Sequence, residues 1–172
     1  MSRVGSAAPE LRRRTAWHAA EFFRRTRSEE ILRWLPLRAE TERQALEEYA
    51  RACRPGADSE GRVIYCEGRY VGDVWCYAIR PRNARDPDGP DAMLSCCVFA
   101  RELWGRGIAA AAVRQFLAEV LAPRGLRRVG AFTFAENTAS VRLLTRCGFA
   151  LRETLDEGGV RSYYFETRPD AE

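Results

Sequence analysis

Apolar residues recur with a helical period up to about residue 54 and with a period of two soon afterwards, and this switch restricts the chain most. Residues 17–35 read as a helix, with Phe22, Phe23, Ile31, Leu32 and Trp34 as its apolar positions and Pro36 closing it. Thr41 opens a second helix, on which Leu46, Tyr49, Ala50 and Cys53 fall at i, i+3, i+4 and i+7 before Pro55-Gly56 ends it. Residues 62–66 and 70–79, joined by Glu67-Gly68, then alternate and are rich in Val, Ile, Tyr and Trp, which is a hairpin signature.

A charged loop at 80–91 carries three prolines and leads to a strand at 92–99. Residues 107–121 form an amphipathic helix with Val113, Phe116, Leu117, Val120 and Leu121 on one face, stopped by Pro123. A strand at 128–134, a short helix at 137–147 ending on Gly148, and a hairpin of 149–154 and 161–166 around Glu157-Gly158-Gly159 complete the series. Residues 10–15 can supply a first strand, although three consecutive arginines weaken it. The order β-α-α-β-β-β-α-β-α-β-β predicts an α+β fold (an α/β mixed sheet) in three layers, with helices on both faces. The 172 residues fit a single domain spanning 1–172, with 2–8 as a loose tail.

Composition narrows the chemistry. All 28 basic residues are arginine, so no Schiff-base lysine and no P-loop lysine exists. A net charge of +4 is small and scattered, which suits an anionic cofactor better than nucleic acid. No apolar segment follows Met1 and no run of about 18 apolar residues occurs, so a cytoplasmic protein with no membrane partner is expected. The six cysteines include no CxxC pair and His18 stands alone, so reduced, mostly buried thiols and no metal are expected. Cys96 and Cys97 point to opposite faces of one strand.

The segment Trp104-Gly105-Arg106-Gly107-Ile108-Ala109 lies between a strand and the start of a helix. Glycines there let backbone approach a ligand, and the first helical N–H groups, at the positive end of the macrodipole, form a cradle for pyrophosphate. Arg106 can add a charge-assisted contact. Three readings fit. One is a glycine-containing helix start with no ligand. Another is a dinucleotide fingerprint, because Gly105-x-Gly107-x-x-Ala110 matches G-x-G-x-x-A, with Arg127 and Arg128 placed for a 2′-phosphate. Against it, five residues separate the strand from the first glycine, and only roughly 65 residues follow, too few to finish a doubly wound sheet.

The third reading rests on two matches in order. Residues 104–109 resemble the Q/R-x-x-G-x-G/A loop of the GCN5-related N-acetyltransferases, with Trp104 in the Q/R position as in the W-G-K-G-Y-A form of the RimJ/RimL-like branch. About 30 residues later, Asn137-x-x-Ser140, Leu143-Leu144 and Gly148-Phe149 are similar to that family's N-x-x-S…L-L-x-x-x-G-F segment. Taken alone, Asn137 is a good helix cap, Ser140 a tolerable third residue, and Gly148-Phe149 a helix end that plugs a core. More weakly, residues 29–36 resemble the family's D-P-E-V-x-x-Y-L-P region.

The resemblance implies a GNAT-like fold and an acetyl-CoA-dependent N-acetyltransferase, a monomer or homodimer, acting on a primary amine of a protein N-terminus or a small molecule. The strand before the loop is then expected to splay from its neighbour, with the backbone of Cys97, Val98 and Phe99 pairing with the pantetheine arm and one of its N–H groups polarising the thioester. The cofactor contacts implied are Cys97, Val98, Phe99, Trp104, Gly105, Arg106, Gly107, Ile108, Ala109 and Asn137. Many relatives place an acidic Tyr four residues before the G-F glycine, where this chain has Leu144. Ser140 is the first candidate acid, with Tyr163 and Tyr164 in reserve. Glu102, Glu136 and Glu157 are candidate bases, each more readily read as a solvated surface charge. Trp34, Leu35, Pro36 and the 80–91 loop are expected on the acceptor side. A non-catalytic acyl-CoA-binding module and an NADP-dependent oxidoreductase remain as alternatives.

Overall fold

The computed structural model describes residues 8–35, 37–86 and 88–167. Pro36 and all but the last residue of the expected tail at 2–8 lie outside them. One seven-stranded sheet runs through the described chain in the order β1-β2-β3-β4-β5-β7-β6. Its strands are β1 (Glu10–Arg13), β2 (Glu60–Cys66), β3 (Arg69–Tyr77), β4 (Ala92–Val98), β5 (Val129–Phe134), β6 (Ala150–Glu157) and β7 (Val160–Thr167). Every pairing is antiparallel except β4 with β5. The β2–β3 hairpin turns on Glu67 and Gly68, both at positive φ (52° and 75°), the combination that a tight two-residue hairpin requires.

The helices are α1 (Ala16–Arg25), α2 (Glu29–Leu32), α3 (Glu42–Ala52), α4 (Ile108–Phe116) and α5 (Thr138–Arg146). The expected single helix over 17–35 is therefore two. Thr26 is buried, and its hydroxyl donates back to the Phe22 carbonyl at 2.7 Å, which ends α1, while Ser28 caps α2. The expected helix over 107–121 has the right extent but two geometries: it widens into a π turn over Leu117–Leu121, two residues short of Pro123, whose missing N–H cannot continue an α-helical ladder.

The sheet is clothed on both faces. On one face α4 and α5 bury Val74, Cys76, Leu94, Val129 and Ala131 beneath Ile108, Val113, Phe116 and Leu144. On the other, α1 sets Phe22 edge-on to Trp75, with ring centroids 5.9 Å apart, and packs on α3. No described helix is long and apolar enough to cross a membrane.

Candidate active site

The sheet opens at its centre. β4 pairs with β5 only at Ala92↔Val129 and Met93↔Gly130, yet stays paired with β3 as far as Val98. Beyond Met93 the edge of β4 that faces β5 has no strand partner among the described residues. The Phe99 N–H donates to the Val71 carbonyl on β3 at 3.0 Å, so the Val98 carbonyl, across the same planar peptide, points into the gap. Strand alternation turns the backbone groups of Cys96 and Val98 to the gap, and those of Cys97 to β3. Two glycines shape this geometry. A Cβ on Gly72 would overlap the Cys97 carbonyl oxygen and stand 2.8 Å from Val98 Cα, so the close β3–β4 approach needs glycine. At the vertex of the gap, a Cβ on Gly130 would meet Met93 Sδ and Tyr164 Cε2, both at 2.7 Å.

After β4 the chain makes a short turn at Arg101–Leu103 and passes Gly105 and Gly107 at φ 74° and 80° into α4. α1, α2, α3 and α5 each begin under a side-chain cap, whereas α4 begins at Gly107 with none. Its first intrahelical bond runs from Ala111 N–H to the Gly107 carbonyl, so the N–H groups of Ile108, Ala109 and Ala110 precede the ladder. A nine-residue helix with uncapped amides at the mouth of an unpaired strand edge can take an anion at one end and an extended amide-bearing arm at the other. The Trp104 indole N–H donates to the Val98 carbonyl at 2.7 Å, tying loop to strand.

On the α4–α5 face, the Asn137 side chain accepts the Ser140 N–H at 3.2 Å as the cap of α5, and the Ser140 hydroxyl makes no hydrogen bond among the described residues. Leu144 is buried in the core, so its position supplies packing and no proton. The two reserve tyrosines separate cleanly. Tyr164 donates to the buried Glu166 at 2.8 Å, and burial pushes its hydroxyl up to about 12. Tyr163, opposite Thr133 of β5, packs on the α4–α5 core, and its hydroxyl has no partner among the described residues. Burial likewise pushes the Cys97 thiol up to about 12 and the Cys96 thiol well above its ordinary value, so both stay protonated.

The candidate bases have company that sequence did not show. Glu102 pairs with Arg69 at 2.7 Å, and bonding to its own backbone N–H and to Arg69 holds its carboxyl below the ordinary value. Glu136 pairs with Arg33 at 3.3 Å, and Glu157 lies exposed at the end of β6. Through Arg33–Glu136 and Arg101–Glu30 (3.0 Å), α2 and its C-cap bridge the ends of the two splayed strands, and Trp34 meets the Phe134 ring at 6.2 Å. The 80–91 loop is stapled by Asp91, which accepts the Arg127 and Arg128 N–H groups at 2.6 and 2.9 Å. Beside it a shallow depression is lined by Met93, Phe132, Tyr164, Arg152, Glu153 and Asp88 on the sheet half that α1–α3 leave bare.

Sequence reasoning missed a buried cluster under α1. Asp73 forms an ion pair with Arg14, whose Nε lies 2.9 Å from the carboxylate, and accepts the Tyr70 hydroxyl at 2.5 Å, and Tyr70 stacks edge-on against Phe99 at 4.9 Å. Burial raises the Asp73 carboxyl to about 6 despite the guanidinium. A lone Asp inside an otherwise apolar strand was the available signal. No group of three or more His, Cys, Asp or Glu among the described residues is placed to hold a metal ion.

Comparison with known proteins agrees with this geometry. A family model described as an acetyltransferase (GNAT) domain matches residues 10–150. No curated protein sequence matches. Among solved structures, spermidine N-acetyltransferase from Vibrio cholerae with CoA and spermine aligns at TM-score 0.79 and 16% identity, covering 95% of this chain and 96% of that one. RimJ from Mycobacterium smegmatis with CoA-disulfide aligns at 0.76 and 21% identity, covering 93% and 81%. An aminoglycoside acetyltransferase with coenzyme A aligns at 0.76 and 14%, covering 94% and 95%. At these identities the alignments establish a shared fold.

Proposed function

The chain belongs to the GNAT acetyltransferase family, and from that premise we propose that it is one domain that transfers the acetyl group of acetyl-CoA to a primary amine, on a protein N-terminus or a small molecule. The observation that carries the reading is the coincidence of two features: β4 loses its β5 partner after Met93, and the uncapped α4 begins at the end of that same free edge. The Ile108, Ala109 and Ala110 amides, with Gly105, Gly107 and Arg106, would hold the pyrophosphate. Val98, flanked by Cys97 and Phe99, would offer its backbone to the pantetheine arm, and an N–H aimed into the gap would polarise the thioester carbonyl. Asn137 would contribute by holding α5 beside it.

In this scheme the neutral amine attacks the carbonyl carbon, the C–S bond breaks, and the thiolate takes a proton. Ser140 and Tyr163 are the hydroxyls available for that proton on the α4–α5 side; Tyr164 is already committed to Glu166. The ammonium proton leaves to water or to Glu102, Glu136 or Glu157. Trp34, Leu35 and the 80–91 loop would border the acceptor. Acceptors named for the structural relatives include a polyamine and aminoglycosides, and RimJ lies among the same relatives.

Leu144, buried where many family members carry an acidic Tyr, favours a second reading as a non-catalytic acyl-CoA binder. Calorimetry with acetyl-CoA and NADPH, followed by mass spectrometry of an amine panel, tests both. Absence of CoA binding sinks both readings, and CoA binding without acetylation of any N-terminal peptide, polyamine or aminoglycoside leaves the binder.

A further inference from the structure

We propose that Trp104 is a positioning residue that sets the pyrophosphate loop onto the splayed strand before the cofactor arrives. The inference rests on the acetyl-CoA reading and goes beyond it, because the resemblance counts Trp104 among the cofactor contacts and gives its indole no part in holding the loop.

The Val98 carbonyl is an acceptor on an edge that has lost its strand partner. Such a group has to take a donor from outside the sheet, from solvent or from the protein, and the structure supplies the Trp104 indole N–H at 2.7 Å. The remaining restraints on the loop are weaker or local. Leu103 N–H to Ala100, Trp104 N–H to Arg101 and Arg106 N–H to Leu103 close turns within the loop itself. The ion pairs Arg69–Glu102 and Arg101–Glu30 join side chains that are each at least 40% exposed, where pairs contribute little. Leu103 packs against the core beneath. Gly105 and Gly107, both at positive φ, give this segment the largest backbone freedom to lose on ordering. The indole bond joins the residue just before Gly105 to the carbonyl just before Phe99, so it closes the loop across its own base. A loop held this way presents the α4 amides in place, and the ordering entropy is spent on folding instead of on binding. A carbonyl has two lone pairs, so an amide of the pantetheine arm can share Val98 with the indole.

Trp104 is 42% exposed, so changing it leaves the core intact. Trp104→Phe keeps a ring and deletes the donor; Trp104→Gln deletes the ring and offers a donor on a shorter arm. Calorimetry is run with CoA and with 3′-phospho-ADP, the nucleotide half of CoA without pantetheine, and steady-state kinetics supply KM and kcat. Trp104→Phe is expected to weaken both ligands by a similar factor of about five, the size of one ordinary hydrogen bond. KM for acetyl-CoA should rise by the same factor, with kcat and acceptor KM within twofold, and Trp104→Gln should recover part of the affinity. A Phe variant that binds 3′-phospho-ADP as wild type does overturns the proposal, as does one that binds CoA more tightly, since the indole would then be competing with pantetheine. Wild-type protein that binds neither ligand overturns the acetyl-CoA reading itself.

Discussion

Asp73 offers the sharpest test of how α1 is held over the floor of the site. Its side chain is 4% exposed, and its partners are one guanidinium and one hydroxyl. Burial outweighs both and raises the carboxyl to about 6. The folded value thus lies above the unfolded value of about 3.9, and between those limits the native protein binds more proton than the unfolded chain. Stability from this group is fully present below about pH 4 and is lost as pH rises through 6. Two pH units correspond to about 3 kcal/mol, an upper figure for an isolated titration. Asp73→Asn keeps the shape and an acceptor for Tyr70 but cannot ionise. Urea unfolding of both proteins from pH 4 to pH 7 is expected to show the variant gaining up to about 3 kcal/mol on wild type across that range. His18, in the same cluster with its Nε2 3.0 Å from the Tyr65 hydroxyl, works in the opposite sense. Burial and then Arg14 and Arg12 lower its value, so its contribution is lost as pH falls below the ordinary value of about 6.5. Taking the difference between variant and wild type removes that background, and repeating it in His18→Gln checks the removal. Parallel curves would refute the claim that burial dominates at Asp73, and a variant that loses ground as pH rises would show that the Arg14 pair dominates instead.

Gly107→Glu should abolish CoA binding in calorimetry while the melting temperature falls only a few degrees, because the new side chain enters open space and the positive φ costs about 1–2 kcal/mol. Gly72→Ala should destabilise the protein by several kcal/mol and weaken CoA binding, since the methyl collides with the β4 backbone at Cys97 and Val98; an unchanged melt would mean that β3 and β4 stand further apart. Tyr163→Phe or Ser140→Ala, whichever removes the acid, should lower kcat by roughly 10²-fold with little change in acetyl-CoA KM, read in a thiol-release assay. Tyr164→Phe should leave kcat intact and reduce stability by about 1 kcal/mol through the lost bond to Glu166.

What the sequence made legible follows from what each signal depends on. The glycine loop was readable because its requirement is local: two positive-φ positions within three residues admit little else than glycine. The caps Thr41 and Asn137 were readable for the same reason, each bonding an N–H three residues on. The break in the 17–35 helix was hidden because residues 24–30 are all polar and carry no apolar period that could show a change of phase; the Thr26 hydroxyl bond ends the first piece and Ser28 caps the second. Pairings between distant residues left no trace. Nothing near Glu102 or Glu136 in the chain marks their partners Arg69 and Arg33, which lie 33 and 103 residues away.

The splay itself is a property of two strands together. Residues 92–99 and 128–134 each read as a strand, and neither records that their pairing stops at Met93. The chain marks the place indirectly, through side chains whose roles make sense only once the gap exists. Gly72 lets β3 approach β4 closely enough to keep it while β5 departs. Gly130 makes room for Met93 and Tyr164 at the vertex. Trp104 satisfies the carbonyl that the departure strands. These three positions, more than the glycine loop, tie the free edge of β4 to the rest of the sheet. Substitutions there should therefore act on CoA binding even where they never touch the cofactor.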